Sequence, residues 1–192
     1  MKTLSHRLTL TLAAVALFSV GCGATQEDTQ PQVELTEEEQ IAAEIDALTG
    51  QQAIQWTKVL FALAKYKDVN KALADGYIPV SPCEALPGSG GMGFHYLHPG
   101  LASDLVTDPF KPEILLYAPN SAGGLDLLGP EYFQADAGQA RPSANGQAFD
   151  GPMPGHNPQM PVHYDLHVWL YRYNNSGLFA PWNPRLKCPA AE

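Results

Sequence analysis

Residues 161–173, Pro-Val-His-Tyr-Asp-Leu-His-Val-Trp-Leu-Tyr-Arg-Tyr, are the densest run of β-branched and aromatic residues in the chain. Valine, tyrosine and tryptophan favour pleated surfaces, so we interpret the run as a β-strand. Side chains alternate between the two faces of a strand. The predicted apolar face comprises Tyr164, Leu166, Val168 and Leu170. The opposite face then carries imidazoles and a carboxylate among aromatic rings, namely His163, Asp165, His167, Trp169 and Tyr171.

A helical interpretation of the same run remains open, because it would place His163 and His167 on one face, as in helical zinc sites. Its apolar stripe would comprise Val162, Leu166, Trp169 and Tyr173. In a strand, at about 3.3 Å per residue, the two histidines lie about 13 Å apart, too far to bind one ion. Asp165 could then share an ion with either histidine, and a third ligand would come from elsewhere in the fold.

The first 22 residues have the features of an export signal. Lys2, His6 and Arg7 give a basic start, and residues 8–20 form an apolar stretch too short for a comfortable transmembrane anchor. The stretch ends in Ser-Val-Gly-Cys, which resembles the lipobox of bacterial lipoproteins and implies a lipid on Cys22. Ser19 departs from the usual leucine, so ordinary signal cleavage without a lipid remains an alternative. We therefore predict an exported, lipid-anchored protein of the bacterial cell envelope.

Charge and composition divide the rest of the chain into an acidic tether, residues 23–35, and a single domain, residues 36–192. The whole chain carries −9; without residues 1–22 it has 9 basic and 20 acidic residues, a net charge of −11. No cluster of lysine or arginine is present. This excludes nucleic acid and anionic lipid surfaces as expected partners, and leaves membrane contact through the N-terminal lipid only.

Export also determines how the cysteines are interpreted. With Cys22 lipidated, Cys83 and Cys188 form an even pair in an oxidising compartment, which predicts a disulfide. The alternative is that Cys83 is a thiolate metal ligand.

The order of periodic segments predicts the fold class. Residues 37–75 have helical periodicity. A capping box that begins at Thr36 starts the first predicted helix, and Gly50 ends it. Residues 52–66 form the second predicted helix, and Asp68 caps a third in which Leu73 points inward. Strand-like runs follow at 93–97, 113–117 and 125–133, with a bulge or an edge position at Pro130. Residues 138–161 lack periodicity and predict a long loop. We expect an α+β fold, with N-terminal helices packed on a mainly antiparallel, curved sheet of about four to five strands.

Residues 88–93, Gly-Ser-Gly-Gly-Met-Gly, match the dinucleotide-binding fingerprint by letter only. Residues 82–87 do not resemble a strand and no helix is predicted after the glycines, so the context is wrong for a cofactor loop. We expect these glycines to allow a close backbone approach. Motifs of serine hydrolases, zinc peptidases, P-loops and EF-hands are absent from the sequence.

Histidines are the remaining candidates for chemistry. Neutral imidazole is a common metal ligand, and Glu131 or Asp165 could complete a set of two histidines and one carboxylate. The candidate ligands are His95, Glu131, His163, Asp165 and His167, with His156 in reserve and His98 the weakest. The expected ion is a divalent transition metal: zinc, copper or iron. The alternative is that these are ordinary hydrogen-bonded histidines of a half-buried sheet.

Three segments resemble an uncharacterised family of small secreted bacterial proteins and lipoproteins: Met-Gly-Phe-His-Tyr at 92–96, the run 112–117, and His-Tyr-Asp-Leu-His-Val-Trp-Leu at 163–170. The resemblance extends over about residues 53–189, including 75–77 and 182–184. It implies a genuine folded domain and no particular activity.

These patterns predict a cell-envelope lipoprotein that binds a metal ion or small ligand through a face of histidines and aromatic rings. A metal-dependent enzyme of the envelope and a protein-interaction module with structural histidines are the alternatives. The strand interpretation further predicts that His167 meets His95 from another strand, while His163 lies apart.

Overall fold

Three α-helices begin the part of the chain that the computed structural model describes, residues 34–155 and 160–189. They are α1 (Glu37–Asp46), α2 (Gly50–Leu63) and α3 (Val69–Ala74), with a 3₁₀ turn, Ala64–Lys67, after α2. Thr36 and Glu39 form the predicted capping box at α1. The side chain of Asp68 caps α3 by accepting from the backbone N–H of Asn70. The predicted signal, residues 1–22, nearly all of the tether and His156 lie outside the described residues.

Two details of the helical prediction are wrong. Gly50 does not end α1, which stops at Asp46 with Ala47 as its C-cap; Gly50 instead begins α2. Leu73 is 45% exposed, and the residue of α3 that faces the core is Ala72. Trp56 and Tyr66 are buried in the core.

An antiparallel sheet of seven strands follows within the described residues, which confirms the α+β fold. Its strands are β1 (Ile78–Pro79), β2 (Glu84–Leu86), β3 (Gly90–Leu97), β4 (Ile114–Pro119), β5 (Leu125–Ala135), β8 (Asp150–Met153) and β9 (His163–His167). The order is β1-β3-β4-β5-β9-β8, and β2 pairs with the other end of β3. A small separate ribbon joins β6 (Ser143–Ala144) to β7 (Gln147–Ala148).

The sheet therefore has more strands than the four to five expected, and residues 138–161 are not simply a loop. β8 lies within that segment and pairs with β9. The run 161–173 is a strand as predicted, but it ends at His167.

The two faces of the sheet have separate apolar cores. The helices pack on one face, where Leu115, Tyr117 and Leu166 meet Trp56 and Val59. All four residues of the predicted apolar face of 161–173 lie in this core. The opposite face carries a smaller cluster that includes Ile114, Leu116, Phe133, Trp169 and Leu186. Tyr171, predicted on the polar face, packs instead on the helix side, because regular alternation stops when the strand ends.

A bulge in β5 determines how the last strand meets the sheet. Leu116 pairs with Gly129 and Tyr117 with Leu127, so one extra residue is accommodated at Leu128. A Cβ on Gly129 would lie 1.9 Å from the carbonyl oxygen of Val168, so only glycine permits this approach. The neighbouring Pro130 confirms the bulge alternative and not the edge one, since β5 is a central strand. The bulge thus holds the end of β9 against β5.

The glycine-rich segment, residues 88–93, lies at the start of β3. These residues connect β2 to β3, and no helix follows them, so the segment is not a dinucleotide-binding loop. The expectation that residues 82–87 contain no strand is wrong, because β2 lies there. Gly90 has φ +107°, and a Cβ there would lie 2.0 Å from the carbonyl oxygen of Asn183, which confirms the close approach.

Cys83 and Cys188 form the predicted disulfide, so Cys83 is not a thiolate ligand. No helix in the described part of the chain is both long and apolar enough to cross a membrane.

Candidate metal centre

Three strands bring His95, Glu131 and His167 together. His95 lies on β3, Glu131 on β5 and His167 on β9. Glu131 is paired directly with His167, and also with Ile114 on β4. Directly paired residues of an antiparallel sheet project to the same face. The group therefore lies on the face that carries Ile114, opposite the helices.

The potential ligand atoms converge on the Glu131 carboxylate. His95 Nε2 lies 3.2 Å from Glu131 Oε2, and His167 Nε2 lies 3.6 Å from the same oxygen. One ligand atom from each residue lies within 4.8 Å of the other two. All three residues are buried, with exposures of 8% for His95, 2% for Glu131 and 1% for His167. The meeting of His167 with His95, predicted from the strand interpretation, is present in the structure.

Three polar atoms of this group make no well-aligned hydrogen bond among residues 34–155 and 160–189, although the carboxylate and the imidazoles are in ion-pair contact. They are Glu131 Oε2 and both ring nitrogens of His167. A buried polar atom left without a hydrogen bond costs about 1–3 kcal/mol, so such atoms are rare unless something else satisfies them. A cation bound between the imidazoles and the carboxylate would satisfy Glu131 Oε2 and one nitrogen of His167.

Ser81 orients the third member of the group. Its hydroxyl lies 2.8 Å from His95 Nδ1 and also accepts from the His95 backbone N–H at 3.2 Å. The contact at Nδ1 leaves Nε2 directed at Glu131, as expected for an imidazole prepared to bind through Nε2. Sequence reasoning missed Ser81, because its contact depends on the pairing of the segment around β1 with β3 and has no local signature.

The charges of the group stabilise an anionic carboxylate. Burial on its own raises the pKa of Glu131, but the facing imidazoles of His167 and His95 outweigh burial and lower that pKa to about 2. Burial likewise lowers the pKa of His95, but Glu131 outweighs it, so the net shift is upward. Glu131 is therefore ionised at neutral pH, and a proton on His95 competes with any cation for the same site.

His163 and Asp165, two further predicted ligands, are not brought into this group. His163 Nε2 lies 3.6 Å from Asp165 Oδ2, its Nδ1 lies 3.1 Å from the Pro161 carbonyl oxygen, and its ring stacks on Phe133. Both residues are buried on the face of β9 that carries His167. Burial lowers the pKa of His163, but the contact with Asp165 outweighs it and raises that pKa. The separation follows from strand geometry, which keeps His163 far from His167.

His98 lies outside the group as well. Its Nδ1 accepts from the backbone N–H of Leu101, and its ring meets the edge of Tyr77.

Two imidazoles and one carboxylate form a donor set that suits a transition metal and leaves coordination positions open. Comparisons with protein-family models, curated protein sequences and solved structures find no match. Fold and site together define an α+β protein with a buried His-Glu-His group that could hold a metal ion.

Proposed function

We propose that this chain is an exported protein of the bacterial cell envelope that binds one divalent transition metal ion through His95, Glu131 and His167. The observation that carries the proposal is the convergence of three buried ligand atoms within 4.8 Å of one another. The atoms on two of these residues that lack a well-aligned hydrogen bond give a physical reason for a cation to bind there.

The donor set supports zinc, copper or iron over calcium or magnesium. The latter two prefer sites built from oxygen alone, whereas imidazole suits transition metals. Ligand atoms about 2.0–2.1 Å from a tetrahedral zinc lie roughly 3.3 Å apart. The two contacts to Glu131, at 3.2 and 3.6 Å, are close to that separation. The nitrogens of the two imidazoles, which lie within 4.8 Å of each other, must also approach that separation for all three ligands to bind.

Export and lipid attachment rest on the sequence. The basic and apolar start, the lipobox-like segment ending at Cys22 and the resemblance to small secreted bacterial proteins support them. The disulfide between Cys83 and Cys188 is compatible with an oxidising compartment. Membrane contact through the lipid alone agrees with the net charge of −11 that the chain carries without residues 1–22.

A metal-dependent enzyme is the second candidate, and one observation favours it. Catalytic zinc sites use three protein ligands and keep a further position for water, whereas structural sites use four. The group here has three members in the described residues. His95, with 8% exposure, is the most accessible of them.

A metal titration tests the proposal. The mature protein, purified without an affinity tag and stripped with a chelator, is titrated with zinc against a competing chromophoric chelator. We expect one ion per chain. Glu131→Gln and His167→Asn should each weaken binding by about 100-fold, because each ligand supplies roughly a quarter of the binding energy of a four-ligand zinc site.

His98→Asn is the matched control, since it removes an imidazole outside the group. Near-ultraviolet circular dichroism shows whether each variant retains its packing. Equal affinities for the control and for both ligand variants would contradict the proposal, and would favour an interaction module with structural histidines.

Cell fractionation tests the location. The wild-type protein should sediment with the membranes, and Cys22→Ser should release it or block its maturation. A wild-type protein found only in the cytoplasm would contradict export.

A further inference from the structure

We propose that the cavity between α1 and α2 binds a small, mainly apolar molecule that carries one positive charge. The cavity has a volume of about 430 Å³, within the range of roughly 300–1,000 Å³ for small-molecule sites. It is lined by both helices, Lys67 and the chain segment Leu170–Tyr171. It therefore lies on the helix side of the sheet, away from the candidate metal centre, and is independent of the proposed function.

The lining requires an apolar ligand body. Ile41, Ile45 and Leu170 are buried residues at the cavity, and Leu60 and Phe61 on α2 line it as well. Phe61 is 73% exposed, although a large aromatic side chain gains most from burial. An apolar ligand in the cavity would cover part of that ring.

The neutral polar groups of the lining are already used. The Thr57 hydroxyl donates to the Ala53 carbonyl oxygen, and the Tyr171 hydroxyl donates to the Leu60 carbonyl oxygen. A ligand rich in neutral hydrogen-bonding groups would lose its water contacts here without recovering them.

The charged groups of the lining select a cation. Glu38 and Asp46 both belong to α1, and neither forms an ion pair with another described residue. Lys67 is the single basic residue of the lining, and its ammonium group lies 5.3 Å from the centre of the Tyr171 ring. The lining thus has a net charge of −1, and the nearby apolar surface strengthens its attraction for a cation. An anionic ligand of the same shape would face two carboxylates.

The test uses two probes with the same apolar chain and opposite charge, octylammonium chloride and sodium octanoate. Calorimetric titration of the mature protein should show saturable binding of one octylammonium per chain, at least about fivefold tighter than octanoate. Glu38→Gln with Asp46→Asn should remove most of this preference. Glu34→Gln, an exposed acidic residue outside the cavity, should not.

A cavity-filling substitution tests the location. Ala42 is exposed and lines the cavity, so Ala42→Trp should weaken octylammonium binding at least about tenfold. Ala43 is also exposed but does not line the cavity, so Ala43→Trp should bind as the wild type does. Octanoate binding as tightly as octylammonium, an unaffected Ala42→Trp variant, or absence of saturable binding would each overturn the proposal. A concentration-dependent dimer that Ala42→Trp dissociates would overturn it in favour of a second copy.

Discussion

Replacing Glu113 with glutamine should remove a pH-dependent loss of stability. Glu113 immediately precedes β4, is 2% exposed, and its carboxylate accepts from the backbone N–H of Phe133 at 3.0 Å. Burial raises the pKa of Glu113 to about 7 from an ordinary value of 4.5. The folded protein thus retains a proton on Glu113 at pH values where the unfolded chain has lost it. Glutamine keeps an oxygen to accept from Phe133 and cannot ionise.

The magnitude follows from that shift. When the folded-state pKa of a carboxyl group is raised, the free energy of unfolding of the protein decreases as the pH rises from about 4.5 through about 7. Above that range the effect of this group on the free energy of unfolding is constant. The shift from 4.5 to about 7 corresponds to about 3 kcal/mol, at 1.36 kcal/mol for each pKa unit. The stability of Glu113→Gln relative to the wild type should therefore increase by about 3 kcal/mol between pH 4.5 and pH 8.

Urea unfolding at pH 4.5, 6, 7 and 8, with a chelator present throughout, measures this difference. Titrating groups that do not interact with Glu113 are common to both proteins and cancel in the comparison. Glu34→Gln, at an exposed position, is the matched control and should follow the wild type at every pH. If the two curves for Glu113→Gln and wild type stay parallel, the carboxyl group is not held protonated by burial and the reasoning is refuted.

Three further predictions concern the site and its surroundings. Ser81→Ala should lower zinc affinity about 10–100-fold in the competition titration, because it frees the ring that Ser81 orients; an unchanged affinity would rule out this orienting role. Reduction of the disulfide, whose cysteines are separated by 105 residues, should lower the free energy of unfolding by up to about 4–5 kcal/mol in urea, and a loss below about 1 kcal/mol would count against it. Zinc affinity should fall as pH decreases from about 8 to 6, with proton release on binding detected by calorimetry in two buffers, since the pKa of His95 is raised; a pH-independent affinity would contradict competition by that proton.

The sequence predicted the face of β9 correctly because alternation is a local property. Tyr164 and Leu166 face the helices, while His163 and His167 face the other way, as the pattern requires. Alternation could not show where the strand ends, so Tyr171 was assigned to the wrong face. Its hydroxyl donates to the backbone of α2, a contact between residues 111 positions apart.

The residue types predicted that His95 and His167 would meet near a carboxylate such as Glu131. They could not predict the register in which the strands carrying these residues pair. Glu131 meets His167 because β5 and β9 pair directly, with the bulge at Leu128 setting the alignment to β4. Strand pairing between distant segments leaves no local trace in composition. The same limitation explains why Ser81 was missed, and why β8 was hidden in a segment rich in glycine and proline.

Leu73 shows a different limit. In a six-residue helix, apolar spacing covers too few positions to define one face. Close packing of α3 selects the small side chain of Ala72, which is 0% exposed, and leaves Leu73 at the surface.

Anomalous diffraction from crystals of the mature protein grown with zinc tests the central claim most directly. We predict one strong peak within about 2.0–2.2 Å of His95 Nε2, His167 Nε2 and a Glu131 carboxylate oxygen, the three residues that the fold gathers. Absence of a peak at that point, or a peak between His163 and Asp165 instead, would contradict it.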